Sequence, residues 1–259
     1  MATAFSRLSL AGLVAVVSGG TSGIGRAIAL GLADAGADVV ATARREALVD
    51  EVASQIERRG RRTLRMGSDV TDRASLEAVR DACLAGLGRL DILVTAAAVT
   101  QRVPTIDMSD ADWHRVLDTN VTGTWNACRV FGGPMLAQGS GRIITIASLA
   151  SVVGFLEVSA YTASKAAVAG LTRALAVEWA PRGVTVNAIA PGIIVTDLNR
   201  AIIDSPRGYE LLLRTPMRRF GDVDEVVGAA IFLASDAASF ITGQLLVVDG
   251  GFLASGVNQ

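Results

Sequence analysis

Short β-branched runs alternate with longer alanine-rich stretches of helical period through the first third of the chain: "LVAVVS", "GRAIALGLADAG", "DVVATA", "REALVDEVASQIERRG", "TLRMGSD", "RASLEAVRDACLAGLG", "LDILVTA". Strands separated by helices cannot close as hairpins, so they must lie parallel, and a parallel sheet has to be covered on both faces. The pattern continues with a helical stretch from about Asp110, the strand "GRIITIAS", a helix from about Ser159 to Ala180, and the strands "VTVNAIA" and "LLVVDGG". This reading predicts an α/β fold with a seven-stranded parallel sheet. No linker or low-complexity segment breaks the order, so residues 1–259 are expected to form a single domain. The least regular segment, about 192–219, is where a substrate-covering loop is expected.

Composition excludes several classes. Charged residues make up 19% of the chain and the formal net charge is −1, so neither nucleic acid nor an anionic membrane surface is an expected partner. The first apolar run, "LVAVV", is too short for a signal or a membrane segment. Cys83 and Cys128 match no metal-ligand spacing and are expected as reduced thiols, which suits the cytoplasm. His114 is the only histidine, so no histidine triad and no multi-histidine metal site can be built, and no metal is expected.

Two motifs carry chemistry. "SGGTSGIG" closes the first strand and opens the first helix, setting Gly19, Gly23 and Gly25, with Thr21, Ser22 and Ile24 between them, at a helix N-terminus. Glycines there let a ligand approach the backbone, and the helix end attracts phosphate; a plain tight turn is the alternative. In "SAYTASK", Tyr161 and Lys165 are four residues apart and share a helix face. A fixed cation beside a phenol favours the phenolate, which would make Tyr161 a general acid/base; a surface tyrosine packed on a lysine stem is the alternative.

The G-x-x-x-G-x-G turn, "YTASK" and the later "APG" together resemble the short-chain dehydrogenase/reductase family over essentially the whole chain. The resemblance implies a doubly wound Rossmann domain and a small-molecule carbonyl or alcohol substrate. It also implies a catalytic set of Asn120, Ser148, Tyr161 and Lys165, in which Ser148 holds the substrate oxygen and Tyr161 protonates it. Lys165 would lower the phenol and hold the nicotinamide ribose, and Asn120 would hold a relay water. The glycine turn, Asp69 with Val70, Ala96 and Ala97, and Pro191, Gly192, Ile194 and Thr196 correspond to the family's cofactor-binding positions. Ala43 stands where NAD-using members carry Asp, and Arg44 follows it as in many NADP-using members, so NADP is expected, with NAD possible. "TAAA" at Thr95–Ala98 departs from the family's Asn-Asn-Ala-Gly, removing a bracing amide at Ala96 and adding a methyl at Ala98.

"VTQRVP" and the tail "RTPMRRFGDVDEVVGAAIFLAS" with "VDGGFLASGVNQ" are similar to the gluconate and deoxygluconate dehydrogenases, with Arg102 as the expected grip on a sugar-acid carboxylate. The alternatives are a 3-oxoacyl-(acyl carrier protein) reductase, docking its carrier through Arg214, Arg218 and Arg219, and a non-catalytic NADP-sensing protein. A homotetramer is expected by the same resemblance.

Overall fold

The computed structural model describes residues 6–197 and 199–256. Strand β1 (Val14–Ser18) leads into α1 (Gly23–Asp34), followed by β2 (Asp38–Thr42), α2 (Glu46–Arg58), α3 (Arg73–Leu87) and β3 (Ile92–Thr95). Next come α4 (Asp110–Leu117), a π-helical turn (Asp118–Thr122) and α5 (Gly123–Gln138), which together make up the long helical stretch. β4 (Gly141–Ile146), α6 (Ser159–Trp179), β5 (Val184–Pro191), α7 (Arg200–Ile203), α8 (Pro206–Arg214), α9 (Asp224–Ala234) and β6 (Leu245–Val248) complete the order.

The strands pair in parallel throughout, in the order β2-β1-β3-β4-β5-β6. Side chains alternate across the sheet. Ala15 and Val17 of β1 enter a core with Ile28, Leu32, Val226 and Leu233 from α1 and α9, while Val14 and Val16 enter a second core with Leu76, Phe131, Met135 and Trp179 from α3, α5 and α6. All five β1 residues are buried, which is why the strand reads as an unbroken apolar run. β1 and β3 are neighbours although β2 lies between them in sequence. The chain therefore reverses direction across the sheet between these two strands, and the crevice at their carboxyl ends is where such folds bind ligands.

The sheet has six strands among the described residues, one fewer than expected. The missing one is "TLRMGSD". It runs beside β2, with Val39 N–H donating to Arg62 O (3.1 Å) and Ser68 N–H donating to Ala43 O (3.1 Å). Both bonds keep the register of a parallel ladder, pairing residue 39 with 63 and 43 with 67, but no other backbone bond joins β2 to the segment between them among the described residues, so the seventh strand is left incomplete. The 192–219 segment also differs from the reading. It carries α7 and α8, because Ser205 caps and Pro206 opens α8, the Ser205 hydroxyl accepting from Gly208 N–H at 3.3 Å. The last residues of the expected "VDGGFLASGVNQ" ending, 257–259, lie outside the described residues, as does residue 198 of the covering segment.

α1 is held against α9 at a contact that requires glycine. A Cβ on Gly31 would stand 2.2 Å from Val227 Cγ1, whereas Gly228, on the exposed face of α9, has nothing within 4 Å. Gly31→Ala is expected to lower stability by about 1–3 kcal/mol through overpacking, and Gly228→Ala to raise it by up to about 1 kcal/mol. Urea unfolding followed by circular dichroism measures both.

Candidate active site

A cavity of about 650 Å³ runs along the carboxyl ends of the strands. Its floor is the turn after β1. A Cβ on Gly19 would come within 2.4 Å of Ala97 N, and one on Gly25 within 2.2 Å of Gly19 O, so glycine is required at both places. Ala96 N–H donates to Ser18 O at 2.8 Å, locking the ends of β1 and β3 together.

Every residue expected to bind cofactor lines this cavity: Gly19, Thr21, Ser22, Gly23, Ile24 and Gly25 on the floor, then Arg44, Asp69, Val70, Ala96 and Ala97, and Tyr161, Lys165, Pro191, Gly192, Ile194 and Thr196 farther along. At the β2 end, Arg44 and Arg45 both reach the wall, and Ala43 itself brings no carboxylate there. Burial pushes the Asp69 carboxyl upward, but the Thr71 backbone and hydroxyl hydrogen bonds, with the Arg44 charge, hold it below its ordinary value. This set fits NADP: a backbone cradle for phosphates at a helix N-terminus, and two cations where a 2′-phosphate would lie. The "TAAA" departure has one visible consequence, which is that Thr95 Oγ1 is buried without a hydrogen-bond partner. Ala96 packs against the α1-side core and Ala97 against the opposite one.

Ser148, Tyr161 and Lys165 come together at the other end. Ser148 follows β4, and its hydroxyl accepts from Ala150 N–H at 3.1 Å. Tyr161 lies in the first turn of α6, hydrogen-bonded to Ser148. Burial pushes its phenol above the ordinary value and the Ser148 bond opposes this. The expected lowering by Lys165 is therefore not what sets the direction. Lys165 Nζ stands 5.7 Å from the Tyr161 ring centroid and donates to Ile146 O at 2.7 Å. The lysine is 3% exposed, and burial lowers it to about 8.

Asn120 does not line the cavity. It sits in the π-helical turn, 1% exposed, where its Oδ1 accepts from Val99 N–H (2.8 Å) and its Nδ2 donates to Val99 O (2.9 Å) and Ser164 Oγ (3.0 Å). Ser164 Oγ in turn donates to Tyr161 O at 2.7 Å. From that turn Asn120 ties the loop after β3, through Ser164, to the backbone of the tyrosine.

Arg102 also lies off the wall. Its Nε and Nη2 both bond Glu157 Oε2, each at 2.8 Å. His114 is exposed, and no group of metal ligands occurs among the described residues. Cys83 and Cys128 are free and buried, and burial pushes both thiols up to about 12.

Several site residues escaped the sequence reading. Ser164 was findable, being one helical turn beyond Tyr161 on the same face. Asn199, whose Nδ2 donates to Ile194 O (2.7 Å) and whose Oδ1 accepts from Thr196 N–H (2.9 Å), holds the turn after β5 and had no signal. Arg115, Asp118 and Thr119 reach the wall from α4 and the π-helical turn, at the i, i+3, i+4 spacing of one helix face.

The family model described as enoyl-(acyl carrier protein) reductase matches residues 19–253. The chain belongs to the short-chain dehydrogenase/reductase family. As a member, it is an oxidoreductase. It is 42% identical to 2-dehydro-3-deoxy-D-gluconate 5-dehydrogenase of Pseudoalteromonas atlantica over 95% of this chain and 98% of that one. It is also 42% identical to D-threitol dehydrogenase of Mycolicibacterium smegmatis over 94% of each. Among solved structures, a gluconate 5-dehydrogenase from Burkholderia cenocepacia in complex with NADP and tartrate superimposes with a TM-score of 0.94. It is 38% identical and covers 98% of this chain and 100% of that one.

The buried lysine gives this oxidoreductase a pH signature. Burial lowers Lys165 to about 8 in the folded protein from its ordinary value of 10.5, so between these values the unfolded chain binds more protons. Its contribution to stability therefore rises as pH goes from 8 towards 10.5. Lys165→Met should abolish this rise while eliminating turnover. The stability gap, wild type minus variant, is expected to grow by roughly 2–3 kcal/mol across the window in cofactor-free chemical denaturation.

Proposed function

We propose that the chain is an NADP-preferring dehydrogenase that interconverts a carbonyl and a secondary alcohol on a sugar acid of the gluconate type. The observation that carries this reading is a single continuous wall, running from Arg44 and Arg45 at one end to Ser148, Tyr161 and Lys165 at the other. One molecule with a phosphate-bearing adenosine and a reactive ring can span it.

When bound, the nicotinamide supplies or accepts the hydride. The protein positions the oxygen and moves the proton. Ser148 Oγ and Tyr161 Oη hold the substrate oxygen, and Tyr161 gives up its proton as the carbon is reduced. A phenol kept protonated by burial is already in the state that reduction requires. Lys165 presents its ammonium, held by Ile146 O, to the ribose side of the cavity. Asn120 and Ser164 fix the Tyr161 backbone, so the hydroxyl keeps its place while the proton leaves.

The sugar-acid substrate is supported by the names of the relatives, one of which was crystallised with a hydroxy acid. Docking of an acidic carrier is less well supported, because Arg219 is paired with Glu225 (2.6 Å), Arg214 lies 4.9 Å from the Phe252 ring centroid, and Arg218 bonds Leu213 O. A non-catalytic sensor would have no use for the assembled Ser148, Tyr161 and Lys165. We further propose a homotetramer, whose contacts would cover exposed Val177 on α6 and Trp125 on α5, in a reducing compartment such as the cytoplasm that leaves Cys83 and Cys128 free.

Oxidation of NADPH and NADH followed by absorbance, with 5-ketogluconate, a deoxy-ketogluconate and an acetoacetyl thioester as parallel substrates, tests the reading. Turnover of the keto-sugar acids is expected, and turnover of the thioester alone would overturn it. Tyr161→Phe is expected to keep NADPH affinity and lose roughly 10²–10⁴ of kcat. Arg44→Ala is expected to weaken NADPH roughly tenfold or more, with little effect on NADH; equal effects would remove the phosphate assignment.

A further inference from the structure

Glu157 stands four residues before Tyr161 in a backbone conformation that its side chain disfavours. Its φ is 64°, in the left-handed region, and among the described residues Arg218 (φ 54°) is the only other non-glycine residue held there. The Cβ of such a residue crowds the following carbonyl, which disfavours the conformation in a free chain by roughly five- to thirtyfold in population. The surroundings must therefore hold Glu157 in place.

Burial does not hold it. No residue of the strap from Ser151 to Val158 is buried, and Val152 and Leu156 are 58% and 72% exposed. The loop after β3 supplies the grip instead. Val103 N–H donates to Glu157 O at 2.8 Å, and Arg102 Nε and Nη2 both bond Glu157 Oε2 at 2.8 Å. That loop is itself fixed, because the Asn120 amide bonds both backbone groups of Val99 and Arg115 Nη2 donates to Gln101 Oε1 at 3.0 Å. One loop thus reaches the tyrosine by two routes. Through Val99, Asn120 and Ser164 it holds the Tyr161 carbonyl, and through Arg102, Val103 and Glu157 it holds the chain that enters α6 just before the ring. An ion pair this open to water contributes little to stability by itself, so its use must lie in the geometry it fixes.

We propose that Arg102 and Glu157 are a positioning pair for the reaction, their ion pair holding the left-handed turn that sets Tyr161 against Ser148. The inference rests on the reading of Ser148 and Tyr161 as the groups that hold the substrate oxygen. Arg102 then acts through the backbone of the strap and is indifferent to the charge of the substrate. A carboxylate grip would behave in the opposite way, sensing the charge of the substrate and ignoring the residue at position 157.

The test measures kcat and KM with NADPH for 5-ketogluconate, its uncharged methyl ester and an acetoacetyl thioester. The proteins are wild type, Arg102→Gln, Glu157→Gln, these two combined, and Arg102→Gln combined with Glu157→Gly. Amide hydrogen exchange of the loop after β3 and of the strap is followed in the same proteins without cofactor. Arg102→Gln is expected to lower kcat roughly tenfold for every substrate that wild type reduces, acid and ester alike, with NADPH affinity retained. Glu157→Gln should match it, and the combination should be no worse than either, because each change removes the same bond. Adding Glu157→Gly to Arg102→Gln should raise kcat again by roughly fivefold, since glycine adopts a positive φ without a brace. Exchange at Val103 and along the strap should quicken roughly tenfold in Arg102→Gln. A loss confined to the acid would overturn the inference and return Arg102 to the role of a carboxylate grip. Multiplied losses in the combination, no recovery with Glu157→Gly, or unchanged exchange would overturn it as well. Reduction of the thioester alone, with the same pattern among the variants, would sink the sugar-acid reading and support the positioning pair. Absence of turnover with all three substrates would sink both.

Discussion

The close approach of the Gly19 backbone to Ala97 is the contact on which the site depends. It joins the ends of β1 and β3 where the chain reverses direction across the sheet, and the Ala96 to Ser18 hydrogen bond fixes their separation. Because neither residue places a large side chain in the gap, the sheet ends in an open trough and α1 presents its N-terminus to it. The opposite wall, from β4 and α6, can then stand one cofactor-length away. A methyl group at Gly19 would not merely obstruct a ligand; it would force two strands of the sheet apart.

Much of this was legible in the sequence because the signals were local. The glycine turn, the tyrosine and lysine four residues apart, and the buried strands each follow from spacing within a few residues, and all the expected cofactor positions reach one cavity. What could not be read depends on partners distant in sequence. Arg102 looked like a carboxylate grip until Glu157, fifty-five residues away in sequence, was found on its fork. Asn120 and Ser164 are forty-four residues apart, and only the π-helical turn brings the amide round to the serine. The strand count differs because the segment beside β2 keeps a parallel register yet makes only two backbone bonds to it, which β-propensity does not foretell.

The electrostatics of Tyr161 and Lys165 show how burial alters a simple pair rule. Side by side in water, the cation would lower the phenol. Here both groups have lost solvent, which raises the phenol above its ordinary 10.0 and lowers the lysine from 10.5 to about 8, so two values that start close together are driven apart. The phenol is thus held protonated while the lysine becomes the easier of the two to deprotonate, the reverse of a phenolate held by a fixed cation.

The irregular segment beside β2 has a consequence for the molecule as a solute. An edge strand with open donors and acceptors is a template for another chain, and β2 is the outermost strand on its side of the sheet. By taking Val39 N–H, Ala43 O and the Thr42 hydroxyl, without completing the ladder between them, the segment covers that edge. The half-paired segment in the place of a seventh strand thus acts as a stopper against sheet-to-sheet growth.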